Sequence, residues 1–370
     1  MAQQGQWIGR SDGDVPGIIV LELDELEGRL DGIAYLFPDD PAVPSSVAYL
    51  TDLDPAAQKH AQAAVVRAVN PDLGWVLTPS LFAEQFPAYA MSETAQVSVE
   101  FAEGTAAVHY VTEMTEGRAT LALSNAGTPS VLEPEPTVRN WRDFRAWAFE
   151  ERPGRKIYRG QATNHRLRTS FHRTRRKNLA RYRDDDITDL RLALAPRLNH
   201  VFSVDNPLET GALYNLAQHH GYPTPLLDWS YSPFVAAFFA YRQKPRNRPA
   251  DDVVRIFNFD QRRYEAVMRP QPFTAYARPH FSVISLLAIE NQRAGPQQAT
   301  ATITNVDDIE SFLRAFEQDQ QTSILGAVDL PLADREEALA DLSLMGITAG
   351  SLFPGLDGVC EALTFKNFGG

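Results

Sequence analysis

The period of the hydrophobic pattern changes once along this chain, and that change constrains the fold more than any other feature. Up to about residue 124, apolar residues alternate with polar ones or form short β-branched runs. Examples are Gly17-Ile18-Ile19-Val20-Leu21-Glu22-Leu23, Gly32-Ile33-Ala34-Tyr35-Leu36-Phe37, Val47-Ala48-Tyr49-Leu50 and Val97-Ser98-Val99-Glu100-Phe101. Ala119, Leu121 and Leu123 continue the theme against Thr120, Ala122 and Ser124. Successive strand side chains point to opposite faces, so this pattern predicts half-buried strands. Glu103-Gly104-Thr105 predicts a hairpin turn into Ala106-Ala107-Val108. Short strands separated by turn signals predict an all-β sandwich or small barrel. Within it, Pro55 to Asn70 reads as a helix, because alanine favours one and Asp54 stands before Pro55 as a cap.

Asn125 to Pro136, rich in Pro, Gly, Ser and Thr, reads as a linker. After it, Val138, Trp141, Phe144 and Ala148 fall at helical spacing, with Thr137 as the expected N-cap. Short strands and helices then alternate. Lys156 to Tyr158 is an expected strand ending in Arg159-Gly160-Gln161. A helix is expected from Asn206-Pro207 to His220, with Gly221 as its stop. Leu226 to Trp229 reads as a strand, and Ser232-Pro233 opens an apolar helix through Ala240 that must be buried. The expected fold class is therefore α+β, with a β-rich domain over residues 1–130 and a mixed α+β domain over residues 138–370.

Charge divides the chain at the same place. Residues 1–137 hold 5 basic and 20 acidic residues, although the whole chain carries only −12. From Arg152 to Arg183 there are 12 Lys and Arg and no acid. Such asymmetry fits either a basic surface that faces an anion or a solvated helix face beside an acidic partner domain. The anion is nucleic acid, a nucleotide pyrophosphate or the acidic first domain itself. The single cysteine, Cys360, excludes an intrachain disulfide and a cysteine zinc cage. Apolar runs are too short to span a membrane, and the N-terminus lacks a signal-peptide pattern, so a cytoplasmic location is expected.

Polar clusters framed by apolar structure mark the candidate chemistry. In Tyr158-Arg159-Gly160-Gln161, an arginine at a strand end beside a glycine can reach a phosphate or ribose, or pair with a carboxylate. In the segment from Gln218 to Ser230, His219, His220, Thr224 and Asp228 sit between two buried elements, where binding residues concentrate. A carboxylate such as Asp228, flanked by Leu227 and Trp229, needs partners. His219 or His220 can take a proton near neutral pH, or cap a helix C-terminus. Adjacent histidines on a helix diverge, so no metal site is expected. A third polar run covers Glu290-Asn291-Gln292-Arg293 to Gln297-Gln298.

At these residues the chain resembles the FRG domain family, named for a Phe/Tyr-Arg-Gly signature that stands here as Tyr158-Arg159-Gly160. Thr169-Ser170-Phe171-His172-Arg173, the block from Gln218 to Ala240 and the ending Leu352 to Gly358 also resemble the family. Many members carry Arg at the position of Pro225 and Thr at that of Ser230. The resemblance spans about residues 138–370. It implies a distant similarity to ADP-ribosyltransferases, with NAD as substrate, and a setting in bacterial defence or as a toxin. It implies that Arg159 holds a ribose or phosphate of NAD. Ser230 or Ser232 would then buttress the site, and Glu290, Gln297 or Glu361 would stand beside the ribose, Gln297 fitting the segment order best. Tyr158, Gly160, Gln161, His220 and Thr224 complete the expected NAD-binding set; Arg159, Asp228, Gln297 and His219 form the expected catalytic set. The acceptor would be a nucleic acid or protein held by residues 152–183. The alternative is a non-catalytic nucleotide- or nucleic-acid-binding sensor. The acidic first domain is expected either to fold over the basic segment or to recognise a partner protein.

Overall fold

The structure is a computed structural model and describes residues 3–72, 74–151, 154–203, 206–243, 249, 252–268, 277–289 and 295–368. The alternating first third forms eight strands: β1 (Gly5–Gly13), β2 (Gly17–Leu26), β3 (Arg29–Pro38), β4 (Ser45–Leu53), β5 (Lys59–Val69), β6 (Thr94–Ala102), β7 (Thr105–Val111) and β8 (Glu116–Leu123). Each pairs antiparallel with the next, and β8 closes on β1, with Trp7 opposite Leu123 and Gly13 opposite Gly117. Closure leaves no free sheet edge, which decides for a barrel over a sandwich. Inward positions such as Trp7, Leu21, Leu23, Leu50, Phe101 and Leu121 form its core. The hairpin at Gly104 forms as expected, with that glycine at φ 71°. A short helix, α1 (Pro79–Gln85), lies between β5 and β6.

Residues 55–70 depart from the expected helix. Asp54 caps only one turn, its carboxylate accepting from the Ala56 N–H at 2.9 Å. Lys59–Val69 is then β5, with Ala64, Val66 and Ala68 buried and Ala63, Val65 and Arg67 exposed. Pairing to β4 and β6 outweighs alanine's intrinsic helical preference, which is worth only tenths of a kcal/mol per residue.

After the linker comes α2 (Trp141–Glu150). Its cap is Asn140, which accepts from the Asp143 N–H at 2.9 Å; Thr137 instead donates to Glu135 at 2.7 Å. Then follow β9 (Lys156–Gln161), α3 (Leu179–Arg181), α4 (Ile187–Leu194), α5 (Pro207–His219), β10 (Leu226–Ser230), α6 (Pro233–Tyr241), β11 (Val253–Asp260) and α7 (Gln261–Glu265). The chain ends with β12 (Phe281–Ile284), β13 (Ala299–Thr304), α8 (Ile309–Asp319), β14 (Leu325–Pro331), α9 (Arg335–Leu344), α10 (Ala349–Leu352) and α11 (Leu356–Phe368).

These six strands form one sheet in the order β12-β13-β10-β9-β11-β14, antiparallel throughout. One face packs on α2, α6 and α9 through Trp141, Phe144, Tyr241 and Leu342. The other packs on α8 through Trp229, Phe257, Ile309 and Leu313. A further core joins α5 to the segment from Phe171 to Ile187. The central strands β9 and β10 thus sit between two apolar layers, and α6 is capped by Ser232 and opened by Pro233 as expected.

The barrel and the sheet domain share a buried polar seam. The Gln6 amide donates to the Asn305 carbonyl at 2.6 Å and accepts from the Asp307 N–H at 2.8 Å. The Asp24 carboxylate accepts from the N–H groups of Lys177 and Asn178, the second at 3.3 Å. Outward-facing Val20, Ile33, Tyr35 and Phe37 pack beside them against Ala277 and Ala180.

Candidate functional site

Alternation along β9 separates the signature residues. Tyr158 turns into the helical layer, 3% exposed, with its ring 6.1 Å from Trp147. Arg159 turns to the opposite face, where its Nη1 donates to the Asp228 carbonyl oxygen at 2.7 Å. Gly160 is required by packing, since a Cβ there would come 1.9 Å from the Ala236 carbonyl oxygen of α6. Tyr158 therefore builds the scaffold and Gly160 lets α6 pack on β9; of the signature, Arg159, Gly160 and Gln161 line the cleft.

That cleft has a volume of about 530 Å³ and opens between Ala126-Gly127 of the linker, the end of β9 and the end of α6. Arg159, Arg166, Arg168, Arg173 and Arg242 line it, together with His165, and no carboxylate does so among the described residues. Three of the five guanidinium groups have carboxylate partners outside the lining. Arg166 bonds Asp308 at 3.0 Å, Arg168 grips Asp307 with two bonds, and Arg242 grips Glu361 with two bonds of 2.6 Å. Arg159 and Arg173 have none among the described residues. The side chain of Arg173 makes no hydrogen bond or ion pair with the described residues, and the Arg159 Nε is buried without a partner. Burial pushes the Arg159 guanidinium down to about 10; Asp228 pulls the other way and Arg173 adds to the fall. Burial and the charge of Arg168 likewise lower Arg173. Two desolvated guanidinium groups that repel each other gain most from a shared anion, and a guanidinium offers paired donors that match a phosphate.

The corner from Gln218 to Asp228 holds Arg159 in place. The Asp228 carboxylate accepts from the Gln218 amide, whose oxygen accepts from the Thr224 hydroxyl. Thr224 is fully buried, and its N–H donates to the Ser170 hydroxyl at 3.0 Å. The arginine and the proline-bounded corner thus meet, through a strand pair that sets Tyr158 opposite Ser230. Asp228, expected in the catalytic set, and Thr224 both act within the corner and lie outside the cleft lining, the Asp228 carboxylate being taken up by Gln218.

The remaining expected residues fall elsewhere. The His219 Nδ1 lies 3.0 Å from the Asn215 carbonyl oxygen and His220 is exposed; neither lines the cleft. Ser230 donates to the Gln297 carbonyl at 2.8 Å, and Ser232 caps α6. The Gln297 side chain is taken up by the Leu352 carbonyl at 3.0 Å. Glu361 reaches the cleft wall only through Arg242. Glu290, Asn291, Gln292 and Arg293 lie outside the described residues, as does Arg152.

The basic run is largely neutralised within the chain. Arg155 pairs with Asp260, Lys156 with Glu151, Arg176 with Asp186, Arg181 with Asp185 and Arg183 with Asp184. Nothing in the sequence marks Arg173 or Arg242 as site residues, because a run of charge does not tell which members find a carboxylate in the fold.

Among the described residues no helix is long and apolar enough to cross a membrane, and no group of three His, Cys, Asp or Glu is placed to hold a metal ion. Comparison with curated proteins finds no match. The family model of the FRG domain matches residues 154–248, a stretch that contains Arg159, Arg173 and the corner from Gln218 to Asp228. The arginine cleft with its supporting corner is therefore built chiefly from an FRG domain carried in the C-terminal half of the chain.

Proposed function

We propose that the FRG domain binds the phosphate groups of a nucleotide in the arginine cleft, with NAD as the ligand. The observation that carries this reading is the pair Arg159 and Arg173, two guanidinium groups without a carboxylate partner in a cleft whose described lining has no acid. One pyrophosphate satisfies both, and the rest of the ligand runs along Gln161, Thr163 and Phe239.

ADP-ribosyl transfer is the reaction to which this reading extends. The pairing of β9 with β10 favours it, because Arg159 and Asp228 then stand on adjacent strands beside a buried helix. In that reaction the bond between nicotinamide and ribose breaks, nicotinamide leaves with the bonding electrons, and an acceptor nucleophile bonds to the ribose carbon. Charge develops on the ribose, and the Asp228 carboxylate, behind the cleft wall next to Arg159, stabilises it through its field. Binding without transfer, as a nucleotide sensor, needs no more than the two arginines.

The test is incubation of the full chain with labelled NAD, alone and with RNA, DNA or lysate protein. Label transfer or NAD hydrolysis that is lost in Arg159→Ala supports the enzyme. Thermal stabilisation by NAD without turnover supports the sensor. Neither effect, with Arg159→Ala equal to wild type, rejects both.

A further inference from the structure

The eight-stranded barrel is packed at one end and hollow at the other. At the packed end the rings of Trp7 and Phe101 lie 5.2 Å apart, with Leu23, Leu30 and Leu53 around them. Four residues further along β3, the inward position of Leu30 is replaced by Ala34. Inward positions at the same end of the neighbouring strands carry Ser46, Ala48 and Ala95. These small side chains leave a cavity of about 370 Å³, whose wall continues through Ile19 and Val108. The Tyr110 ring lies inside the barrel because residue 117 is glycine; a Cβ there would come 2.4 Å from its hydroxyl oxygen. That hydroxyl lies 2.9 Å from the Ser11 hydroxyl.

A barrel of eight strands is just wide enough either to be filled by its own side chains or to hold one small ligand. This one is filled by its own side chains at one end and leaves a cavity at the other. The volume falls within the range of about 300 to 1,000 Å³ typical of small-molecule sites. An empty space of this kind forfeits the dispersion contacts of its lining, and a matching molecule restores them.

The lining also defines the ligand. Its surface is mostly apolar, with the hydroxyls of Tyr110, Thr112 and Thr115 and the carboxylate of Asp14 added from the mouth. The Ser92 hydroxyl is buried beside it without a partner. Among the described residues no Lys, Arg or His lines the cavity, and residues 1–137 hold 20 acidic against 5 basic groups. A carboxylate or phosphate head would find no cation there and would meet a negative field. We propose that the barrel binds a small neutral molecule with an apolar body and one hydroxyl-like end. This site is separate from the arginine cleft and does not depend on its ligand.

The experiment uses the full chain and the neutral fluorophore N-phenyl-1-naphthylamine, displaced in parallel by 1-decanol and by decanoate at pH 8. The fluorophore should bind, and decanol should displace it at a concentration at least ten times lower than decanoate. Filling the cavity with Ala95→Phe or Ala48→Leu should weaken uptake at least tenfold, with circular dichroism unchanged. Ala63→Phe, on the outer face of β5, should leave uptake as in wild type. If a filling variant fails to fold, the alcohol-to-acid comparison on wild type still decides. Absence of uptake, uptake unaffected by filling, or displacement by decanoate as readily as by decanol would overturn the proposal.

Discussion

The guanidinium of Arg159 is tied by a 2.7 Å hydrogen bond to the backbone carbonyl of Asp228 on the neighbouring strand, while the Asp228 side chain is held by Gln218. Orientation of the arginine and the charge of the aspartate are thus separable. Asp228→Asn keeps the carbonyl and an acceptor for Gln218. NAD binding to this variant should stay within about threefold of wild type, since 1.4 kcal/mol would already be tenfold. Label transfer should fall at least a hundredfold, the scale typical of losing one transition-state charge contact. Single-turnover assays with labelled NAD check both numbers.

Gly160→Ala should destabilise the chain, because this cleft-wall glycine is where α6 packs on β9. The new methyl group meets the Ala236 carbonyl oxygen at 1.9 Å, and that oxygen belongs to the α6 backbone, which cannot give way locally. Overpacking of this kind costs at least about 2 kcal/mol. Urea denaturation should show a lower midpoint with an unchanged slope; a wild-type midpoint would mean that α6 does not pack on β9 as described.

Two buried groups near the seam give stability a defined pH profile. Burial raises Glu22 from 4.5 to about 8, with its Gln6 hydrogen bond acting the other way. A raised carboxyl contributes stability that is complete below about pH 4.5 and is lost as pH rises through about 8. Burial lowers His172 from 6.5 to about 4, partly offset by Asp307. A lowered imidazole contributes stability that is complete above about pH 6.5 and is lost as pH falls through about 4. For these two groups, stability should plateau between about pH 4.5 and 6.5 and fall on both sides. Glu22→Gln should flatten the alkaline limb by on the order of 3 kcal/mol. Unfolding at pH 5 and pH 8 checks it, and an unchanged alkaline loss in the variant would contradict it.

The barrel is tied to the FRG domain through the buried polar seam. None of the described residues lining the cleft belongs to β1–β8, whereas Gln6 and Asp24 satisfy backbone groups of Asn305, Asp307, Lys177 and Asn178. Removing residues 1–124 would leave those groups without partners, at about 1 to 3 kcal/mol for each one that stays buried. The truncated chain should be insoluble or melt well below the full chain. A stable truncation with raised NAD turnover would instead show that the acidic domain inhibits.

Six of the eight barrel strands (β2, β3, β4, β6, β7 and β8), the α6 helix and the place of Arg159 at a strand end are legible in the sequence, because each rests on local pattern: alternation, a Ser-Pro helix start, and an arginine beside a glycine; β5 reads as a helix because of its alanines. The short strand β13, Ala299-Thr300-Ala301-Thr302-Ile303-Thr304, escaped because alanine and threonine give no apolar contrast. Tyr158 and Arg159 were placed in one site, yet neighbours on a strand face opposite ways. Arg173 escaped for a different reason. It is distinguished from Arg166 and Arg168 only by lacking an aspartate, and those aspartates stand more than 130 residues away in the chain.

The most direct measurement is calorimetric titration of NAD into the full chain, Arg159→Ala and Arg173→Ala at low and high salt. Wild type should bind, each variant should lose at least tenfold in affinity, and added salt should weaken wild type more than either variant. Equal affinity in all three proteins, or no dependence on salt, would contradict a phosphate held between these two arginines.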